Sequence, residues 1–347
     1  MDTRRNFRCI IFYLLIYLLV FNQTANSENF GSQKIDEFVI QNFPKEELDK
    51  FKNFFLGNCS NPKFLSNLRK HESYPQFGTI NEWKRLCEKI DKILKDNPNV
   101  IFRNFDFDYL SSKPGKLTAY YQPNILVSKT RTDKYKYPIL KKRPGLMLER
   151  KKILETYKSR DVLLWTNDDV ELFFLHVQGS GIGIFENGKK VKISYAGNNG
   201  YEYRSIGKIM IQKGFFEKKK IEAEDVKKWL RKNLHQKQKI LNLNKRFIFF
   251  KVNEFKESHP IGSYGEQLVP LSSIAIDKKI YPYGLPFFLY TEENNFNFIT
   301  FSADTGAAIK GPNRADIFFG SGENAGKKAG KINEKLILYF LKPKVTK

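Results

Sequence analysis

Cysteine is scarce in this chain: Cys9, Cys59 and Cys87 are the only three among 347 residues. Three cannot support a disulfide scaffold or a multi-cysteine zinc fold. The four histidines, His71, His176, His235 and His259, form no H-E-x-x-H and no cysteine-backed cluster, so a dedicated zinc site lacks ligands and each reads as a surface or packing residue. There is no G-x-S-x-G, and the Gly179-Ser180-Gly181 segment lacks the spacing of a nucleophile elbow, which argues against serine hydrolysis. A phosphate-cradling G-x-x-x-x-G-K-[ST] loop is missing too, as are repeats of 20–50 residues and low-complexity stretches, so solenoids and linker-rich architectures drop out.

Aromatic residues are plentiful: 31 Phe and 17 Tyr supply enough apolar surface to offset the ordering entropy, which excludes global disorder. The length suits one large or two ordinary domains. A formal net charge of +23 invites polyanions, but lysine is spread along the whole chain beside many Asn, Ile and Phe and reads as compositional bias, not as a nucleic-acid patch. Residues 1–27 read as a signal peptide: Arg4, Arg5 and Arg8 precede an uncharged apolar run, Cys9 to Phe21, too short to span a membrane with ease, and Ala25 and Ser27 form an A-x-A-like cleavage site. Export is expected, with a retained anchor as the alternative. Cys9 is not placed to accept a lipid.

The front of the chain reads as helical and the remainder as strand-rich. Pro44 to Phe55 sets Leu48, Phe51, Phe54 and Phe55 on one helical face, and a Thr79/Glu82 capping box opens a second helix carrying Trp83, Leu86, Cys87, Ile90, Ile93 and Leu94. In an oxidising compartment Cys59 and Cys87 are the sensible disulfide pair, with two buried free thiols as the alternative. Short β-rich runs punctuated by Gly, Pro and Asn follow at Lys136–Leu140, Asp161–Trp165, Val170–Val177 and Lys190–Tyr195. Helices are expected over Tyr203–Lys213 and Glu222–Gln236, the lysines of the latter on a solvated face. Strands return at Phe247–Lys251, Ser272–Ile276, Phe287–Tyr290, Phe298–Ser302 and Leu336–Leu341. Gly179, Gly181 and Gly183 alternate, as in a tight turn or a place where a ligand nears the backbone.

The chemistry concentrates in carboxylates: Ala303-Asp304-Thr305-Gly306, then Arg314-Ala315-Asp316-Ile317-Phe318-Phe319-Gly320, preceded by Ile276-Asp277. This three-aspartate pattern resembles the C-terminal domain of the membrane-bound lytic murein transglycosylase A family. The likeness extends, in order, through Thr118-Ala119-Tyr120-Tyr121-Gln122-Pro123, Val177-Gln178-Gly179-Ser180-Gly181, Ser194-Tyr195-Ala196-Gly197-Asn198-Asn199-Gly200 and Tyr203-Arg204-Ser205. Ala307, where a second glycine is typical, and the Pro312-Asn313 loop depart from the pattern. The resemblance implies a mainly β fold with N-terminal helices: a double-psi β-barrel formed by residues 28–121 and 256–347, and a second β-barrel inserted at 122–255, with the groove between them.

The same resemblance implies Asp316 as the catalytic acid and Asp304 as a supporting carboxylate. One acid suffices for a lytic reaction, whereas a glycan hydrolase needs two carboxylates. Such an acid must stay protonated near neutral pH, far above its reference value of about 3.9; Ile317, Phe318, Phe319 and a charged Asp304 favour that, and Arg314, on the same strand face, opposes it unless drawn away by Asp304 or by substrate. Tyr120 and Tyr121 are candidates to stack on sugars, one of the two only, since alternation turns neighbours to opposite faces. Thr118, Gln178, Ser180 and Asn198 are candidates to bond hydroxyl or acetamido groups, Gly179 and Gly181 to let sugar approach the backbone, and Lys310 to meet a peptide carboxylate. Asp277 reads as a turn or cap residue. No metal or organic cofactor is required. Peptidoglycan glycan strands are the implied partner in a periplasmic, outer-membrane-associated setting, other cell-wall enzymes being further candidates; nucleic acid is not expected, and the chain is expected to be a monomer. The rival readings are a non-catalytic wall-binding protein and a two-carboxylate hydrolase.

Overall fold

The computed structural model describes residues 45–344 apart from 97, 144, 146, 218–220, 257–258 and 292–297; the signal segment and Pro44 lie outside the described residues. Three helices lead: α1 (Lys45–Ser60), α2 (Pro62–Lys70) and α3 (Ile80–Asp96). The capping box forms, Thr79 N–H donating to Glu82 Oε2 (2.6 Å) and Glu82 N–H to Thr79 Oγ1 (3.3 Å). Trp83 is fully buried against Phe55, Phe64 and Phe105, and its indole N–H donates to the Phe77 carbonyl at 2.9 Å. Cys59 and Cys87 are disulfide-bonded across α1 and α3, with Cα atoms 5.5 Å apart.

Then follow β1 (Phe105–Asp108), β2 (Gly115–Gln122), β3 (Asn124–Ser128), β4 (Tyr137–Leu140), α4 (Arg150–Thr156), β5 (Val162–Thr166), α5 (Asp169–Gln178), β6 (Gly181–Ile184), β7 (Lys190–Asn198), α6 (Ile206–Gln212), α7 (Ala223–Lys232), α8 (Leu234–Leu241) and β8 (Ile248–Glu254). The chain closes with β9 (Ser273–Ala275), β10 (Pro286–Tyr290), β11 (Phe298–Asp304), β12 (Arg314–Ser321), α9 (Glu323–Ala329) and β13 (Asn333–Pro343).

One sheet runs β1-β13-β10-β11-β9-β12-β2, and β13 also pairs with β2, so six strands form a closed ring with β1 outside it. Closure leaves those six strands without an edge. Two pairings are parallel, β12 with β2 and β11 with β9, and this ring is the expected double-psi barrel. Its core is aromatic and aliphatic and continuous with the front helices: Phe51 stacks on Phe301, and Phe77 meets Phe340. The second sheet runs β4-β5-β3-β6-β7-β8, and a bridge between Lys141 and Phe250 joins its two ends into a second barrel. The chain crosses from first to second barrel at Pro123, the one residue between β2 and β3.

Two sequence expectations are corrected. Val170–Val177, read as a strand, is helix α5: Asp168 accepts from the N–H groups of Val170 (2.8 Å) and Glu171 (3.0 Å), and Gly179, at φ 83°, ends the helix in the left-handed region. The run is apolar because α5 is buried nearly all round, from Val170 through His176, and periodicity cannot separate a buried helix from a buried strand. The single helix expected over Glu222–Gln236 is two, α7 and α8, meeting at Asn233. Among the described residues no helix is long and apolar enough to cross a membrane.

Candidate active site

Strand β12 is central to the first barrel, with parallel β2 on one side and antiparallel β9 on the other; Asp316 faces Thr118 in one register and Ala275 in the other. The side chains of Ala315 and Ile317 are buried in the barrel core, while the alternate positions Arg314 and Asp316 face a groove of about 310 Å³ between the two barrels; Phe318, on their face, is buried in a small cluster with Leu268 and Ala303. The size and the interdomain position are those of a ligand site.

Asp316 Oδ1 accepts from the Thr118 hydroxyl at 2.5 Å, and the same hydroxyl oxygen accepts from Arg314 Nη2 at 2.8 Å. Burial raises the Asp316 pKa above the ordinary carboxylate value, and Asp304 adds to the rise; the Arg314 charge and the Thr118 bond oppose it without cancelling it. Of the two groups expected to draw Arg314 away, Asp304 or substrate, Asp304 makes no ion pair with it. Arg314 Nη1 is held instead by the carbonyls of Ala315 and Lys116, and the guanidinium reaches the acid through Thr118.

Asp304, at the end of β11, accepts from the Tyr120 hydroxyl (3.0 Å), the Ser263 N–H (3.0 Å) and the Ser263 hydroxyl (2.7 Å). Tyr120 is a groove residue, its ring 5.3 Å from that of Phe318, and burial together with Asp304 pushes its phenol well above the ordinary range. Tyr121 points the other way, against α9, and does not line the groove. Asp277 is a structural residue, capping Lys279 N–H (3.2 Å) and Gly311 N–H (3.1 Å).

The other expected contacts divide. Gln178 and Gly179 line the groove; the Gln178 side-chain carbonyl is engaged by Tyr121 N–H at 3.1 Å, which leaves its amide N–H₂ to a ligand. Ser180 is outside the lining, and Lys310 lies 3.8 Å from Asp277, also outside it. Gly181 is glycine for packing: a Cβ there would stand 2.5 Å from Leu175 Cδ1 and 3.0 Å from the Pro123 carbonyl, so it offers no sugar-facing surface. Asn198 stands one layer back. It donates to Tyr195 Oη at 2.6 Å and accepts from Arg246 Nη1 at 3.4 Å, and those two residues face the groove in its place.

Sequence reasoning missed most of the second-barrel wall. It comprises Arg150, His176, Tyr195, Tyr203, Asn244 and Arg246, scattered over α4, α5, β7 and two loops. Tyr195 is 48% exposed, a flat aromatic at the mouth. Only Tyr195 and Tyr203 lay inside motifs that the sequence singled out.

Fold and site together define a two-barrel protein whose cleft holds a half-buried carboxylic acid, Asp316, of raised pKa. A model described as the MltA specific insert domain matches residues 116–251, and one described as the 3D domain matches residues 272–342. The chain belongs to the membrane-bound lytic murein transglycosylase A family. It is 27% identical over 368 residues to the membrane-bound lytic murein transglycosylase A homolog of Buchnera aphidicola subsp. Schizaphis graminum, covering 98% of this chain and 97% of that one. It is 32% identical over 242 residues to membrane-bound lytic murein transglycosylase A of Escherichia coli K12, covering 65% of each. The crystal structure of the Agrobacterium tumefaciens membrane-bound lytic murein transglycosylase superposes with a TM-score of 0.72 at 27% identity, covering 86% of this chain and 93% of that one. The Escherichia coli enzyme with bound chitohexaose gives a TM-score of 0.66 at 26% identity, covering 81% and 88%.

Proposed function

We propose that this protein cleaves the β-1,4 bond between N-acetylmuramic acid and N-acetylglucosamine in peptidoglycan by a lytic route that leaves a 1,6-anhydromuramyl end. The observation that carries the reading is the state of Asp316: half-buried at the groove, raised in pKa, and hydrogen-bonded to described residues through one oxygen only. Protonated Asp316 donates to the glycosidic oxygen as the C1–O bond breaks. The resulting carboxylate then takes the proton from the 6-hydroxyl of the same muramyl residue as O6 bonds to C1, so the acid is restored and no water is added. Holding O6 beside C1 makes the second step intramolecular, with the proximity advantage of such reactions.

Asp304 supports this chemistry from a distance. Its three hydrogen bonds engage both oxygens, which suits a fixed negative charge that holds the Asp316 proton better than a nucleophile or water-activating base. The related Escherichia coli enzyme was crystallised with chitohexaose, which supports an extended glycan as the groove's ligand. Residues 122–255 are the inserted barrel in this reading. The mature protein is exported to the periplasm after cleavage near Ser27 and works beside the outer membrane.

Product analysis tests the proposal: purified protein incubated with murein should release anhydro-muropeptides. Reducing muramyl ends would assign it to two-carboxylate hydrolysis, and binding without release would make it a wall-binding protein.

A further inference from the structure

The second-barrel wall holds cations without counterions. Arg150 is 4% exposed, yet it has no carboxylate partner among the described residues. Its Nε donates to the Asn244 carbonyl (3.1 Å) and its Nη2 to the Arg246 carbonyl (2.8 Å), while Nη2 lies 3.2 Å from His176 Nδ1. The guanidinium sits over the rings of Phe173 and Phe247, and Nη1 makes no hydrogen bond to a described residue. Arg246 is half-buried beside it. Nη1 donates to the Tyr201 carbonyl (2.7 Å) and to Asn198, whereas Nε and Nη2 have no partner among the described residues. Both arginines line the groove, and its two described carboxylates, Asp304 and Asp316, belong to the other barrel.

Buried cations are ordinarily paired, because desolvation without a counter-charge is costly. Burial alone lowers Arg150, to about 9, and lowers Arg246 as well, which marks both as desolvated before any ligand arrives. His176 adds to the imbalance. Its Nδ1 faces two donors, Arg150 Nη2 and the Ile248 N–H (3.4 Å), so the ring is neutral with its proton on Nε2, another buried donor without a partner among the described residues. Donors exceed acceptors on this wall, and the planar guanidinium fork suits a carboxylate.

We propose that Arg246, backed by Arg150, forms a subsite for a carboxylate carried on the 3-O arm of a muramyl residue. The inference rests on the peptidoglycan reading above and refines it. Sugar rings of a chitin-like glycan are neutral. In peptidoglycan, carboxylates occur only on the lactyl group or on the peptide stem attached to it, so this wall distinguishes a muramyl from a glucosaminyl residue and fixes the direction in which the strand lies past Asp316.

Calorimetry on the full mature chain carrying Asp316→Asn, which blocks turnover, tests this at low salt. The probes are chitohexaose, a GlcNAc–MurNAc hexasaccharide with free lactyl groups, the same hexasaccharide with stem peptides, and the stem form with its carboxyls amidated. At least one acid-bearing hexasaccharide should bind about tenfold more tightly than chitohexaose, the worth of one partly screened charge-assisted bond. Whichever acidic form is tighter identifies lactyl or stem as the source. Adding Arg246→Gln should bring that ratio close to one, and Arg246→Lys, which keeps the charge but not the fork, should retain part of it and confirm that the wall still folds. Binding of both acid-bearing hexasaccharides no tighter than chitohexaose, a tighter stem form whose advantage survives amidation of its carboxyls, or a ratio that survives Arg246→Gln would overturn the subsite alone. Failure of the Asp316→Asn protein to bind any of the glycans would bring down the peptidoglycan reading and the subsite with it.

Discussion

A single hydroxyl mediates between a cation and an acid. Thr118 accepts from Arg314 and donates to Asp316, so the hydroxyl's bond lowers the acid's proton affinity alongside the guanidinium's charge. Removing the hydroxyl should free the proton affinity to rise further: Thr118→Val is expected to move the alkaline limb of the pH–rate profile upward, which a profile of muropeptide release would show. A profile that moves downward would mean that Arg314 closes directly on the acid. Asp316→Asn should lower turnover by about 10⁴-fold or more, the upper end of single general acid–base effects, since one group serves both steps. It should also stabilise the fold. Because the folded pKa of Asp316 is raised, the native state still holds its proton at pH values where the unfolded chain has released it, so stability falls as pH climbs above the usual carboxylate range. The asparagine variant should therefore melt above wild type near neutral pH, with the gap narrowing in acid below about pH 4, where both states are protonated. Equal melting temperatures near neutrality would show that Asp316 is not held protonated.

The elements explain what the sequence made legible and what it did not. Strands β4, β5, β7 to β11 and β13 and the capping box at Thr79 carry their own local signals and lie where expected, whereas β1, β2, β3 and β6 were not read as strands. Helix α5 did not, because burial on every side erased its period; the Asp168 cap and the left-handed Gly179 were the usable signals. The neighbouring glycine was misjudged for a related reason, since a glycine that admits a ligand and one that admits a leucine look alike in sequence. Gly181→Val should thus behave as an overpacking change, costing about 1–3 kcal/mol or more in denaturant unfolding, with activity per folded molecule retained. An unchanged midpoint would return Gly181 to the groove. Between α1 and α3, the Cys59–Cys87 bridge closes a loop with a sequence separation of 28 residues. Chain entropy gives it roughly 3–4 kcal/mol, and the Cys59→Ala/Cys87→Ala variant should lose about that much, read as the shift in unfolding free energy.

At the scale of the molecule, the site exists only because two barrels face each other. The first barrel supplies the acid from ordered motifs that can be read in one dimension: Thr118, Tyr120, Asp304, Arg314 and Asp316 converge through adjacent strands. The second supplies a wall whose residues are drawn from α4, α5, β7 and loops far apart in the chain, and no spacing rule brings Arg150 to Arg246. That asymmetry is why the half that carries Asp316 was legible and the arginine half was not. In the proposed reaction one carboxylic acid cleaves the strand without water. Mass spectrometry of the soluble products released from purified murein tests it most directly. Single-acid cleavage should release muropeptides lighter by one water than their hydrolytic counterparts and resistant to borohydride reduction, absent with Asp316→Asn; reducible, full-mass muramyl ends from the wild-type protein would rule it out.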